Sequence, residues 1–143
     1  MLRKDKILQV FDMDDTLVVT NALQFIVDAK TKSLKCAITS DQYIRLRRII
    51  NKLKQKKLID INYDQFADNK ESYELLKNGE KVLKYMCKLR KAYYSKDQDV
   101  AIVTARGNSP KQIQAFFLEL YDINIPMKMI KCMNWTKSKP KSM

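Results

Sequence analysis

Three aspartates directly follow an apolar run near the start of the chain. The run covers residues 7–11, and the carboxylates are Asp12, Asp14 and Asp15. An extended segment directs successive side chains to opposite faces, so we expect Asp12 and Asp14 to point the same way. Two such carboxylates repel each other unless a cation lies between them or one keeps a proton. The two carboxylates are hard oxygen ligands, and no thiolate or imidazole lies near them in the sequence, so the pattern favours Mg²⁺ over zinc or copper.

A second acidic pair with the same spacing shows why position matters. Asp97 and Asp99 come before an apolar run, and we interpret them as part of a turn. Asp12 and Asp14 instead follow a strand, and open α/β sheets bind their ligands at the carboxyl ends of strands. Spacing alone is a weak signal, so the strand context favours the first pair as a site.

The composition excludes several kinds of catalytic site. The chain has no histidine, which removes histidine-dependent nucleophiles and the HExxH zinc site. With only two glycines it cannot form a Walker-type phosphate loop or a GxGxxG fingerprint. Cys36, Cys87 and Cys132 are odd in number and lie in apolar patterns, so we expect reduced core thiols. Any chemistry must therefore be carried by carboxylates.

Length and hydropathy predict one domain covering residues 1–143. A chain of 143 residues with 45% hydrophobic content can bury a substantial core. It contains no apolar run long enough to span a bilayer and no secretory signal at its start. We therefore expect a soluble, cytoplasmic protein that does not associate with membranes.

The positive charge of the chain is concentrated in blocks. Its net charge is +12, from 28 basic and 16 acidic residues. Such blocks attract polyanions, including nucleic acid, although lysine-rich helix faces are also common without any partner. Few aromatic residues are interspersed, so a surface for stacking single-stranded bases is not evident. The blocks comprise Arg45, Arg47, Arg48, Lys52, Lys54, Lys56 and Lys57, then Lys81, Lys84, Lys88, Arg90, Lys91 and Lys96, then Lys128, Lys131, Lys137, Lys139 and Lys141.

A second strand should lie beside the first and carry its own polar end. Residues 100–104 form an apolar, β-branched run without alternation, which is typical of the central strand of a parallel sheet. The run ends in Thr104, and Ala105-Arg106-Gly107 follow. Ser109 and Pro110 then have the residue types of an N-cap and a first helical position.

The remaining elements complete an α/β pattern. Residues 21–78 form an insert: a β-hairpin (23–27 and 34–38), an amphipathic helix capped by Ser40 or Asp41, and then loop and short helices from 60 to 78. A further helix begins after Asn78-Gly79, and a third strand is predicted at 127–132. This order predicts a Rossmann-like, three-layer parallel sheet with a hairpin flap and a small helical insert after strand 1.

Two of these segments resemble motifs of the haloacid dehalogenase superfamily. The stretch DMDDT at 12–16 is similar to its motif I, DxDxT, and VAIVT at 100–104 is similar to motif II. The hairpin region at 20–43, INYDQF at 61–66 and TARGN at 104–108 resemble small phosphatase-like members found in bacteriophages. The resemblance covers nearly the whole chain.

The resemblance implies a role for each matching residue. Asp12 would be the nucleophile that forms an aspartyl-phosphate, and Asp14 the general acid and then base. Asp12 and the Asp14 backbone carbonyl would hold Mg²⁺, and Thr104 would bind a phosphoryl oxygen. The implied substrate-binding residues are Thr16, Ala105 and Arg106.

The chain also departs from the family pattern. Lys137 or Lys139 lies about where the motif III lysine is expected. No acidic residue follows Asp122, so the motif IV acidic pair is missing. The resemblance therefore implies a shortened member or a fragment, with weaker Mg²⁺ binding and low activity.

Three functions follow from these features. The first is a Mg²⁺-dependent phosphohydrolase acting on a phosphorylated substrate whose identity the insert would decide. The second is a catalytically degenerate relative that binds nucleic acid or another polyanion through basic helices. The third is a partner-binding module whose aspartates only cap a loop. An uncovered sheet edge would also allow a homo-oligomer.

Overall fold

The structure, a computed structural model, describes residues 6–135. Within them the chain forms eight strands, four α-helices and two 3₁₀ turns (Asp64–Phe66 and Met127–Met129). The strands are β1 (Ile7–Phe11), β2 (Val18–Val19), β3 (Gln24–Asp28), β4 (Leu34–Ile38), β5 (Ile59–Asn62), β6 (Glu80–Lys81), β7 (Gln98–Thr104) and β8 (Ile130–Cys132). The helices are α1 (Ser40–Gln55), α2 (Lys70–Lys77), α3 (Leu83–Tyr94) and α4 (Pro110–Tyr121).

A small parallel sheet carries the candidate site. Its order is β1-β7-β8, with Phe11 opposite Ile102 and Ile102 opposite Ile130. The expectation that residues 100–104 form a central parallel strand is confirmed. Of the predicted third strand at 127–132, only the second half is extended, because the Met129 N–H bonds back to the Pro126 carbonyl and forms a 3₁₀ turn.

The main core lies against one face of this sheet. Side chains of α3 and α4 pack with Ile102 and its neighbours, and Phe116 and Phe117 are completely buried there. Burial of such an aromatic side chain contributes roughly 1.5–3 kcal/mol.

The opposite face of the parallel sheet is open. Leu8, Val10 and Val103 are 42%, 56% and 38% exposed. Residues 6–135 therefore show a mixed α/β fold with helices packed on one face of the sheet, and the predicted third layer is not confirmed. Self-association through the open face or edge stays a prediction.

The hairpin is part of a three-stranded antiparallel flap. β3 pairs with β4 as predicted, and its other edge pairs with β5, giving the order β4-β3-β5. The prediction of only loop and short helices after residue 60 was wrong at its start, since Ile59 and Ile61 alternate with polar residues and form a strand. Ile26, Ile38 and Ile59 build a separate small core with α1.

Helix starts follow local capping chemistry. Thr39, rather than Ser40 or Asp41, caps α1: its hydroxyl accepts from the Gln42 N–H, and the Gln42 side chain accepts from the Thr39 N–H. This reciprocal pair is a capping box and satisfies two amide donors at once. Ser109 caps α4 with Pro110 next to it, as predicted.

The cysteines differ from the expectation of three core thiols. Only Cys132 is buried, whereas Cys36 and Cys87 are exposed, and all three are free. Across residues 6–135, no helix has both the length and the apolar character needed to cross a bilayer.

Candidate functional site

The aspartates lie in a tight turn directly after β1. The Met13 carbonyl accepts from the N–H groups of Leu17 and Val18 at 2.9 and 3.1 Å, and the Asp15 N–H donates to the Val18 carbonyl at 2.9 Å. Asp15 takes a left-handed conformation, with φ 62°. Met13 is completely buried, whereas Asp12 on its amino side is exposed. This alternation agrees with Asp12 and Asp14 on the face opposite Met13.

The end of β7 lies beside this turn. The parallel pairing of Phe11 with Ile102 brings the carboxyl ends of both strands to one edge of the sheet. Thr104 is 1% exposed, and its hydroxyl accepts from the Arg106 N–H at 3.2 Å. Its predicted contact with a phosphoryl oxygen stays a prediction.

The Arg106 guanidinium joins Asp14 to the insert. Nη1 donates to Asp14 Oδ1 at 2.5 Å, and Nε donates to Asn108 Oδ1 at 2.8 Å. Nη2 reaches the Gln65 carbonyl at 3.4 Å, and the guanidinium lies 4.8 Å from the centre of the Phe66 ring. The Arg106 side chain is only 1% exposed, and a buried cation needs such partners. Arg106 therefore positions Asp14, while its predicted contact with substrate stays a prediction.

Further hydrogen bonds fix the insert against the turn after β7. Asn108 Nδ2 donates to Ser72 Oγ at 3.1 Å, and the Gly107 N–H donates to the Phe66 carbonyl at 2.7 Å. The Ser109 N–H donates to Asp68 Oδ1 at 3.1 Å. Sequence reasoning singled out the stretches that contain Asn108 and Phe66 but gave neither residue a role, and it missed Ser72 altogether. The available signal was a polar stretch between an apolar strand and a helix cap.

Burial changes the acidity of both candidate carboxyl groups. Burial raises the pKa of Asp14 above its ordinary value, the Arg106 guanidinium partly offsets this, and the charges of Asp12 and Asp15 raise it further. Asp12 is exposed overall, but partial desolvation by the surrounding turn raises its pKa, against a hydrogen bond from the Met13 N–H at 2.8 Å. Both carboxyl groups therefore hold a proton more readily than a solvated aspartate does.

The donor set suits a hydrated Mg²⁺ ion better than a fully protein-bound metal. Among residues 6–135, no group of three or more metal-ligating side chains comes together. The Asp12 carboxylate is exposed, the Asp14 carboxylate is bound to Arg106, and the turn hydrogen bonds do not use the Asp14 carbonyl. Mg²⁺ is commonly held by one or two protein oxygens, with water and phosphate completing the octahedron. Oxygen ligands of this number fit Mg²⁺ and predict weak binding.

A cavity of about 880 Å³ opens beside Asp14 and Asp15, and Asp12 is not part of its lining. Asp14, Asp15 and Arg106 line one part of it. Other parts are lined by aromatic side chains and by one buried amide. These residues are Tyr43, Tyr63, Phe66, Trp135 and Gln24. A smaller cleft of about 500 Å³ lies at the amino end of β7, away from the aspartates.

Of the remaining predicted site residues, Ala105 lines the cavity and Thr16 does not. Thr16 lies in the turn, where its N–H donates to the Met13 carbonyl at 3.4 Å. Ala105 lines the cavity, and its carbonyl accepts from the Asn134 amide. Lys137 and Lys139 lie outside the described residues.

No family model matches this chain, and no curated protein or solved structure shows significant similarity to it.

Proposed function

We propose that this protein is a Mg²⁺-dependent phosphomonoesterase of the haloacid dehalogenase type that acts through an aspartyl-phosphate on Asp12. One observation carries the proposal. The Arg106 side chain binds the Asp14 carboxylate, and the Arg106 backbone N–H donates to the Thr104 hydroxyl. Arg106 therefore links the polar residues that follow β1 to those at the end of β7. A loop cap would not need a buried guanidinium to hold Asp14 in place.

In the first step the exposed Asp12 carboxylate attacks phosphorus. A bond forms between an Asp12 oxygen and phosphorus, and the bond from phosphorus to the ester oxygen breaks. Asp14 gives its proton to the leaving oxygen, so an alcohol departs. Burial raises the pKa of Asp14, which is the direction that a general acid needs, while the Arg106 guanidinium opposes this shift.

In the second step water releases the phosphate. Asp14, now ionised, takes a proton from water as the water oxygen attacks phosphorus. The bond between phosphorus and the Asp12 oxygen breaks, and the Asp12 carboxylate is restored. The hydrogen bond from the Met13 N–H stabilises that carboxylate as it leaves.

Mg²⁺ would be held by the Asp12 carboxylate and the Asp14 carbonyl. When bound, it neutralises phosphate charge, which allows an anionic nucleophile to approach an anionic substrate. Arg106 cannot supply that charge while it is paired with Asp14, so the metal requirement is expected to be strict.

Hydrolysis of p-nitrophenyl phosphate tests the proposal. We expect slow Mg²⁺-dependent release of nitrophenolate that Asp12→Asn abolishes and Asp14→Asn lowers about 10²–10⁴-fold. Asp97→Asn is the matched control, since Asp97 is an exposed aspartate outside the site. Equal rates for the wild type and Asp12→Asn, prepared identically, would remove the proposal.

A second candidate function is binding of nucleic acid or another polyanion. It is favoured by the exposed basic residues of α1, which include Arg47, Arg48, Lys52 and Lys54. Binding to random DNA and RNA should then fall steeply as salt is raised, because counterions are released. Binding that does not change with salt argues against this function.

A further inference from the structure

We propose that the leaving group of the phosphomonoester is a nucleoside and that the cavity beside Asp14 binds its base. Gln24 would accept a hydrogen bond from the amino group on the base edge. This inference names the substrate class of the proposed function and therefore rests on it.

Gln24 is the first observation that points to a ligand. It is 8% exposed, and its Oε1 is the only buried side-chain nitrogen or oxygen among residues 6–135 without a hydrogen-bond partner. Burying such an atom without a partner costs free energy, so native proteins rarely do it. Gln24 also lines the cavity, although Oε1 itself is covered, so a small rotation of the side chain would bring Oε1 within reach of a ligand donor.

The aromatic lining is the second observation. Tyr43 and Tyr63 come from the insert and Trp135 from the segment after β8, and all three line the cavity. The Phe66 ring is also there, but the Arg106 guanidinium already packs against it. Nucleobases stack on such rings because every base has a π-face. Rings grouped around one amide acceptor fit a planar heterocycle with a hydrogen-bond donor on its edge.

The cavity connects both features to the proposed general acid Asp14, whereas the proposed nucleophile Asp12 is not part of its lining. Asp14 and Asp15 line the same cavity as Tyr63 and Gln24. A volume of about 880 Å³ is of the size that holds a whole small-molecule ligand, so phosphate alone would leave most of it empty.

Binding of nucleosides tests this inference without phosphate, Mg²⁺ or turnover. The chain has one tryptophan, and Trp135 lines the cavity, so its fluorescence reports on a stacked base. Adenosine and cytidine are titrated beside purine riboside, which is adenosine without the amino group, and beside ribose. We expect adenosine or cytidine to quench the fluorescence in a saturable way. Purine riboside should bind about tenfold more weakly than adenosine, and ribose should not bind.

Three variants sharpen the test. Gln24→Leu should bind adenosine about tenfold more weakly and no longer distinguish it from purine riboside. The same variant should unfold at a denaturant concentration no lower than the wild type, since it removes an unpartnered buried amide. Tyr63→Ala should weaken all nucleosides alike, while Tyr94→Ala, an exposed tyrosine on α3, should bind as the wild type does.

Adenosine monophosphate and a 3′-phosphorylated trinucleotide, titrated in parallel, distinguish a free nucleotide from a polynucleotide end. Tighter binding of either the mononucleotide or the trinucleotide than of the other supports the proposed base-binding site. The inference is overturned if nucleosides bind no better than ribose, if adenosine and purine riboside bind equally, or if Gln24→Leu changes nothing. Nucleoside binding without phosphatase activity would refute the proposed function alone, and activity without nucleoside binding would refute this inference alone.

Discussion

Arg106 Nη1 lies 2.5 Å from Asp14 Oδ1, and the two side chains are 1% and 27% exposed. Removing the guanidinium leaves Asp14 with an uncompensated charge in a partly dry site. Arg106→Met should therefore lower the free energy of unfolding by about 3–5 kcal/mol, measured by urea denaturation. The double variant Arg106→Met/Asp14→Leu should recover much of this loss, because no lone charge is left behind. A single variant as stable as the wild type would contradict the buried ion pair.

Thr104 supports the Arg106 backbone. Thr104→Val keeps the shape of the side chain but removes the oxygen that accepts the Arg106 N–H, leaving a buried donor unsatisfied. We expect a loss of about 1–3 kcal/mol in the free energy of unfolding. Thr104→Ser keeps that oxygen and is the matched control, so it should be the more stable of the two. The opposite order in urea denaturation would show that the hydrogen bond contributes nothing.

Gly79 allows β2 and the chain before β6 to approach closely. A Cβ at this position would lie 2.7 Å from Val18 Cγ2 and 2.8 Å from the Val19 carbonyl oxygen. Gly79→Ala should therefore cost about 1–3 kcal/mol in thermal or urea unfolding, since both neighbours must shift.

Gly107→Ala is the control for that overpacking. Its Cβ would meet the Phe66 carbonyl oxygen at 3.3 Å, a contact that needs only a small adjustment. If Gly107→Ala proved the more damaging change, the close approach at Gly79 would not be as the structure has it.

The three cysteines should differ in reactivity. Burial, with the charge of Asp68 adding to it, raises the pKa of the Cys132 thiol to about 11. At about pH 8 little Cys132 is therefore thiolate, and thiolate is the form that alkylating reagents attack. Iodoacetamide followed by intact mass measurement should show rapid labelling of Cys36 and Cys87 and labelling of Cys132 only after unfolding. Three equally fast labels on the folded protein would contradict the burial of Cys132.

The residues that depend on local pattern could be predicted from the sequence. The Ser109 cap followed by Pro110 follows from helix-start chemistry, while the face shared by Asp12 and Asp14 stays a prediction. Residues 100–104 were correctly placed at the centre of a parallel sheet because their apolar run lacks alternation.

Features that depend on distant partners could not be predicted in this way. Arg106 and Asp14 are 92 positions apart, and although both were expected at the same edge of the sheet, neither segment indicates the ion pair between them. Gln24 resembles any polar strand residue in the sequence, and only the fold places it in a cavity shared with Tyr43 and Trp135. The short β5 was missed because four residues give too little periodicity to distinguish a strand from a loop.

Acid-quenched mass spectrometry of the protein mixed with excess phosphomonoester and Mg²⁺ tests the central claim most directly. The account predicts a phosphoryl group on the tryptic peptide 7–30, located on Asp12 and absent from the Asp12→Asn variant. Hydrolysis that proceeds with no phosphoryl group on Asp12, or with the group on another residue, would contradict it.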